Sequence, residues 1–250
     1  MTHDHHTDSA GVPWKGRTFQ PNPHAADSGE TPPDVSEALG AWRSGSGTYS
    51  ALIAAFATNR FLIPLVAHAG DDFDADNPVM EDKIQELSVV TVAGPGGEKV
   101  IPVFTSAAAM KNWNAEARPI PIDPQRVALA AASEHTDRIV VNAGTDSIVL
   151  RRPAVWAMAQ GVDYLAPWES PDFLTETRLL LGDVPNLDDV TLSAGDPRST
   201  GAGSDVSLSL TIVANLDTEA VRAVIDEVQA RVSGSELYTS RVDALTLTRI

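Results

Sequence analysis

The chain has 250 residues, 43% of them hydrophobic and 21% charged, enough for one large or two small globular domains with a real core. Eighteen Lys and Arg stand against 34 Asp and Glu, a formal net charge of −16, which argues against nucleic acid or an anionic membrane surface as partner. Cysteine is absent, which excludes disulfides, thiolate nucleophiles and every Cys-based metal site. Met1 to Ala10 contains no apolar signal core, and the longest apolar run, Phe61 to Ala67, is far short of a membrane span; a cytoplasmic protein is expected.

Residues 1–33 are rich in His and Pro and poor in aliphatic side chains, so they read as a flexible N-terminal arm. Trp14, Phe19 and the stretch Gly16-Arg17-Thr18-Phe19-Gln20-Pro21-Asn22-Pro23 give two alternatives, an arm that docks and an arm that stays solvated. Next, Val35, Ala38, Leu39 and Trp42 recur at helical spacing behind Asp34, the expected N-cap, and Leu52, Ile53, Phe56 and Ala57 form a second helical face after the Ser44 to Gly47 break. Phe61 to Ala67 has strand character, with Pro64 confined to an edge or bulge because it lacks an N–H.

After an acidic stretch from Gly70 to Asp82, Leu87 to Ala93 and Lys99 to Phe104 flank Gly94-Pro95-Gly96-Gly97 and predict a hairpin. Ser106 is placed to cap a helix reaching Trp113, and Asp123-Pro124 to open another through Ser133. Ile139 to Asn142 and Ser147 to Leu150 predict a second hairpin, followed by a helix that Pro153 opens and Gly161 stops. Beyond a connector at Tyr164 to Pro171, a helix at Phe173 to Leu181 and strands at Leu187 to Leu192 and Val206 to Val213 are expected. An Asp217-capped helix with the stripe Val221, Val224, Ile225, Val228 and Val232 follows, then a closing strand around Leu245 and Leu247. The expected fold class is α+β: an N-terminal mixed-sheet domain with flanking helices at 34–162 and a smaller C-terminal helix-on-sheet domain at 171–250, ordered αββαβ like a truncated ferredoxin-like unit.

Four stretches together resemble the SseB family, the enhanced serine sensitivity proteins, in its actinobacterial form. They are Gly16 to Pro23, Phe61 to Val66, Val103-Phe104-Thr105-Ser106 and Arg151-Arg152-Pro153-Ala154-Val155-Trp156-Ala157-Met158-Ala159-Gln160-Gly161. The segment Ser193-Ala194-Gly195-Asp196-Pro197-Arg198 extends the likeness into the C-terminal part. The resemblance implies a cytoplasmic α+β protein named for a serine phenotype, with no established catalytic activity, metal or cofactor.

The residues themselves offer little reactive chemistry. Outside the arm the only histidines are His68 and His135, and no Gly-x-Ser-x-Gly elbow occurs, so a Ser-His-Asp triad is not expected; paired carboxylates stay open, but in so acidic a chain their abundance makes each one uninformative. Asp72, Asp74 and Asp76 imitate half of a calcium loop, but Asn77 stands where Gly is needed and Lys83 where a bidentate Glu is needed. His3, His5 and His6 could chelate a metal only adventitiously, and neither Gly94 to Gly97 nor Gly201-Ala202-Gly203 has the strand-loop-helix setting of a phosphate cradle. No catalytic residue, metal ligand or cofactor is assigned.

Arg151-Arg152 read either as carboxylate-recognising forks or as strand-end residues that neutralise nearby acids, the second being favoured. Phe104 is expected to pack the hairpin, Thr105 or Ser106 to cap the next helix, and Trp156 to lie on the apolar side of its helix. These six, Phe104, Thr105, Ser106, Arg151, Arg152 and Trp156, are the candidate binding residues. The preferred function is a non-enzymatic protein-binding or regulatory protein. The alternative is a small-molecule (amino-acid) sensor or cofactor-independent enzyme linked to serine metabolism, with Arg151 or Arg152 holding a carboxylate. A secretion adaptor ranks last.

Overall fold

The computed structural model describes residues 27–65, 91–94, 97–134, 136, 138–144 and 146–250. The arm up to residue 26, the acidic loop with its half calcium pattern, His68 and His135 lie outside the described residues.

The N-terminal half begins with α1 (Pro33–Ser44) and α2 (Tyr49–Thr58). Asp34 is not the N-cap of α1. The helix starts two residues earlier than that cap would place it, with Pro33 at its first position, where a missing N–H costs nothing, and Asp34 sits in the first turn, where its charge suits the helix dipole. The end of the expected arm is tied to the body: Asp27 pairs with Arg60, Gly29 O accepts from Ala107 N at 2.7 Å, and Thr31 Oγ1 meets Thr105 Oγ1 at 3.1 Å.

Strand β1 (Phe61–Leu65) pairs antiparallel with β4 (Arg118–Ile122), with Pro64 directly opposite Pro119, so two residues without N–H groups share one rung of a two-stranded sheet. The main sheet runs β2 (Val92–Ala93), β3 (Lys99–Val103), β5 (Ile139–Val141), β6 (Ile148–Leu150). The second expected hairpin forms from β5 and β6, and in the first β2 pairs antiparallel with β3, while residues 87–90 of its first strand and 95–96 of its turn lie outside the described residues. Between them β3 and β5 pair in parallel, joined by a crossover through α3 (Ala107–Trp113), β4 and α4 (Pro124–Ser133). Alternation sends Ile101, Val103, Ile139, Val141, Ile148 and Leu150 into the main core, and Val100, Val140 and Val149 into a small cluster on the other face. Helix α5 (Arg152–Gln160) closes this half, stopped by Gly161 in the left-handed region at φ 66°.

A 3-10 turn at Pro167–Glu169 leads into α6 (Pro171–Leu181) and the three-stranded sheet of β7 (Leu187–Ala194), β8 (Val206–Ile212) and β9 (Leu245–Arg249). β8 is central, antiparallel to β7 and parallel to β9. Its residues Val206, Leu208, Leu210 and Ile212 point onto Val224, Val228 and Val232 of α7 (Thr218–Ser233). The expected αββαβ order gains one element, the short α8 (Glu236–Arg241), whose Tyr238 hydroxyl bonds Thr177 at 2.9 Å in the core and is pushed up to about 12 by burial. The mixture of helices and sheets makes the fold α+β. No helix among the described residues is long and apolar enough to cross a membrane.

Candidate functional site

The six candidate residues occupy two separate places. Phe104, Thr105 and Ser106 follow β3, while Arg151, Arg152 and Trp156 stand at the start of α5 and along it.

At the first place Phe104 is fully buried against Trp113, ring centroids 5.4 Å apart, and has no surface to offer a ligand. Ser106 caps α3, its hydroxyl accepting from Ala109 N at 3.1 Å, as the sequence requires. Thr105 does not cap. Its backbone N–H donates to Asn142 Oδ1 at 2.9 Å, and its hydroxyl accepts from Asn142 Nδ2 at 3.1 Å. Asn142 can turn its amide this way because it holds a left-handed φ of 54° at the end of β5, a conformation Asn tolerates better than most side chains.

These groups form the floor of a cleft of about 520 Å³. One wall is the Ser36, Gly40 and Arg43 face of α1, residues a helical turn apart. A second is Ala109, Asn112 and Trp113 of α3, and the third is the turn between β5 and β6. The lining is mostly hydroxyl, amide and small apolar groups, with one ion pair, Arg43 to Asp146 at 3.4 Å. Nothing in the sequence picked out Asn112, Asn142 or Arg43, because the residues of this cleft are brought together from four separate elements.

The second place is an electrostatic clasp between the halves. Arg151 is only 5% exposed and lies between Asp196 (3.2 Å) and Asp243 (3.5 Å), while donating to Gly203 O at 2.9 Å. It is a buried ion-pair residue, not the surface pair that residue type alone suggests. Asp243 also takes Arg138 at 3.1 Å and Arg152 at 3.6 Å. Arg152 donates further to Thr239 O and Val242 O, and its guanidinium lies 5.0 Å over the ring of Trp156. Trp156 is therefore not on the apolar side of α5: it is 38% exposed, turned outward under the arginine.

Behind the clasp Tyr49 and Tyr164 are buried, which pushes both phenols well above their ordinary value. Asp205 accepts from Ala244 N at 2.7 Å and Asp243 N at 3.1 Å; burial nevertheless lifts its carboxyl above the usual range, the two N–H bonds opposing that rise. Among the described residues no group of three or more His, Asp or Glu side chains is arranged to hold a metal.

Residues 35–157 match the family model described as the SseB protein N-terminal domain. No curated protein and no solved structure matches the chain.

Proposed function

Since this chain belongs to the SseB family through its residues 35–157, we propose that it is a non-enzymatic protein-binding or regulatory protein of the cytoplasm that holds a polar segment of a partner in the cleft under α1. The observation that carries this reading is the state of the cleft's polar groups. Thr105, Ser106 and Asn142 are already fixed by hydrogen bonds to one another or to the backbone, so they present donors and acceptors in set directions. A cleft of about 520 Å³ lies within the range that holds small ligands or a short stretch of chain.

The alternative of a sensor or enzyme holding a carboxylate on Arg151 or Arg152 loses its anchor, because both guanidiniums are occupied by Asp196, Asp243 and backbone carbonyls.

Gly40 supplies the test. It lies in the middle of α1, lines the cleft, and has nothing within 4 Å of where a Cβ would stand, so Gly40→Leu fills the cleft without straining the helix. Affinity capture from native lysate with wild type and Gly40→Leu in parallel should recover partner proteins with wild type that are missing with the variant. An identical set from both would remove the cleft from the binding surface.

A further inference from the structure

The Arg43 to Asp146 pair is also the ridge to a second concavity of about 340 Å³, which the first does not include. Its walls are Trp42 and Arg43 from α1, Asp146, Ser147 and Ile148 at the start of β6, and Pro197, Arg198 and Thr200 from the loop between β7 and β8. It is therefore built from both halves of the chain, a frequent location for ligand sites.

The loop that brings Arg198 there is unusually constrained. The Asp196 carboxylate accepts from Thr200 N at 3.0 Å, Thr200 Oγ1 at 3.0 Å and Gly201 N at 2.7 Å, and is held from behind by Arg151. Ser199, buried and in the left-handed region at φ 52°, gives its carbonyl to Val149 N at 2.7 Å, which pins the loop onto the edge of β6. A non-glycine residue kept at positive φ costs free energy, and here it fixes the direction in which Arg198 leaves the loop. Arg198 itself is exposed and makes no ion pair or hydrogen bond among the described residues. Across the groove, Arg43 has only Asp146 as an acidic partner among the described residues, and both side chains are largely exposed at 49% and 70%.

We propose that this groove is a binding site for a small monocarboxylate with an apolar body. Two guanidiniums against one carboxylate leave the groove with a single positive charge, in a chain whose net charge is −16. That matches one carboxylate and disfavours a dianionic phosphate, which would face the field of the whole molecule with half its charge uncompensated. The flat forks of Arg43 and Arg198 suit a planar two-oxygen acceptor, Ser147 and Thr200 offer hydroxyls, and the faces of Trp42 and Pro197 supply an apolar wall for the rest of the ligand. Arg43 exchanges an exposed intramolecular carboxylate for the ligand's, an exchange that costs little because such surface pairs are weak.

Phenylacetate is the probe, with its neutral amide phenylacetamide and inorganic phosphate as the other arms, followed by calorimetry and by backbone amide shifts in the full chain. Phenylacetate should bind saturably in the millimolar range or tighter, moving the amides of Ser147 and Thr200, and phenylacetamide should bind about tenfold more weakly or not at all. Arg198→Ala and Arg43→Ala should each weaken phenylacetate by about tenfold, and Arg198→Lys by less, since it keeps the charge and loses the fork. The far-UV circular dichroism of Arg198→Ala should match wild type, and Arg198→Gln repeats the test with a side chain of closer size. Equal binding of acid and amide, tighter binding of phosphate, no saturable binding of phenylacetate, or affinity unchanged in both Arg198→Ala and Arg198→Gln would each overturn the proposal. Gly40→Leu, which lines only the larger cleft, should leave phenylacetate binding unaltered, so the two sites stand or fall separately.

Discussion

Asp205 shows how one buried carboxylate carries a pH signature. Burial places its folded-state value above that of the unfolded chain, so the folded form takes up the proton more readily. Its contribution to stability is then complete below the unfolded value and is lost as pH rises through the raised folded value. Asp205→Asn removes that dependence and turns an amide N–H toward one of the two backbone donors that the carboxylate now satisfies, a loss of about 1–2 kcal/mol. Urea unfolding should therefore show a gap between wild type and Asp205→Asn that widens as pH falls from neutrality toward the ordinary carboxylate value of 3.8. A gap that is constant across that interval would mean the carboxyl titrates alike folded and unfolded. At this scale sequence reading works for local partners and fails for distant ones. Ser106, Asp123 and Asp217 are legible caps because the amide each one bonds lies two or three residues on. Glu169, which caps the start of α2 by accepting from Tyr49 N at 2.7 Å and Ser50 N at 3.0 Å, is invisible because its partners are some 120 residues away.

Among the elements, two glycines with opposite demands separate helix propensity from loop geometry. Gly40 sits in the interior of α1 with open space around its Cα, so Gly40→Ala should stabilise the protein by about 0.5–1 kcal/mol by restricting the unfolded chain. Gly201 ends the Asp196 loop at φ +83°, and a Cβ there would stand 2.9 Å from Val149 Cγ2. Gly201→Ala should cost about 1–2 kcal/mol, from strained backbone and from displacing the loop on β6. Thermal melts of the pair should move in opposite directions, and a neutral Gly201→Ala would show that the loop is not docked as described. The strands and helices themselves were legible because period two and period 3.6 are local properties: β8 buries every second residue, and Val224, Val228 and Val232 form the inner stripe of α7. The parallel pairing of β3 with β5 was not, since register between strands separated by a crossover depends on contacts no local pattern encodes. For the same reason Asp196-Pro197-Arg198 is visible as a turn-like motif in the sequence, while its seat against β6 is not.

On the scale of the whole molecule, the two halves are joined by charge more than by a shared apolar core. The two large clusters of buried hydrophobic residues are distinct, with Trp168 the one side chain among the described residues packed on both. Asp243, in the segment before β9, gathers Arg138, Arg151 and Arg152 from the N-terminal half, and it is 13% exposed at the side chain. Truncating it leaves three guanidiniums near one another, with Arg151 still held by Asp196 and Arg138 by Glu98 but Arg152 left to backbone carbonyls alone, so both lost attraction and like-charge repulsion act in the same direction. Because Arg138 and Arg152 are partly solvated, the expected cost of Asp243→Ala is about 2–3 kcal/mol, below the full value for breaking a wholly buried pair. Asp183→Ala, which removes an exposed partner of Arg231, is the control and should leave the unfolding midpoint close to that of wild type. Urea unfolding followed by tryptophan fluorescence and by circular dichroism tests the coupling as well as its size. The two probes should coincide in wild type, and Asp243→Ala should lower the midpoint and draw them apart as the halves unfold more independently. Added salt should narrow the difference between wild type and variant only slightly, since charges shielded from solvent are screened far less than surface ones. If Asp243→Ala instead matches the Asp183→Ala control, the contacts around Trp168 hold the halves together unaided, and the arginine clasp only orients them.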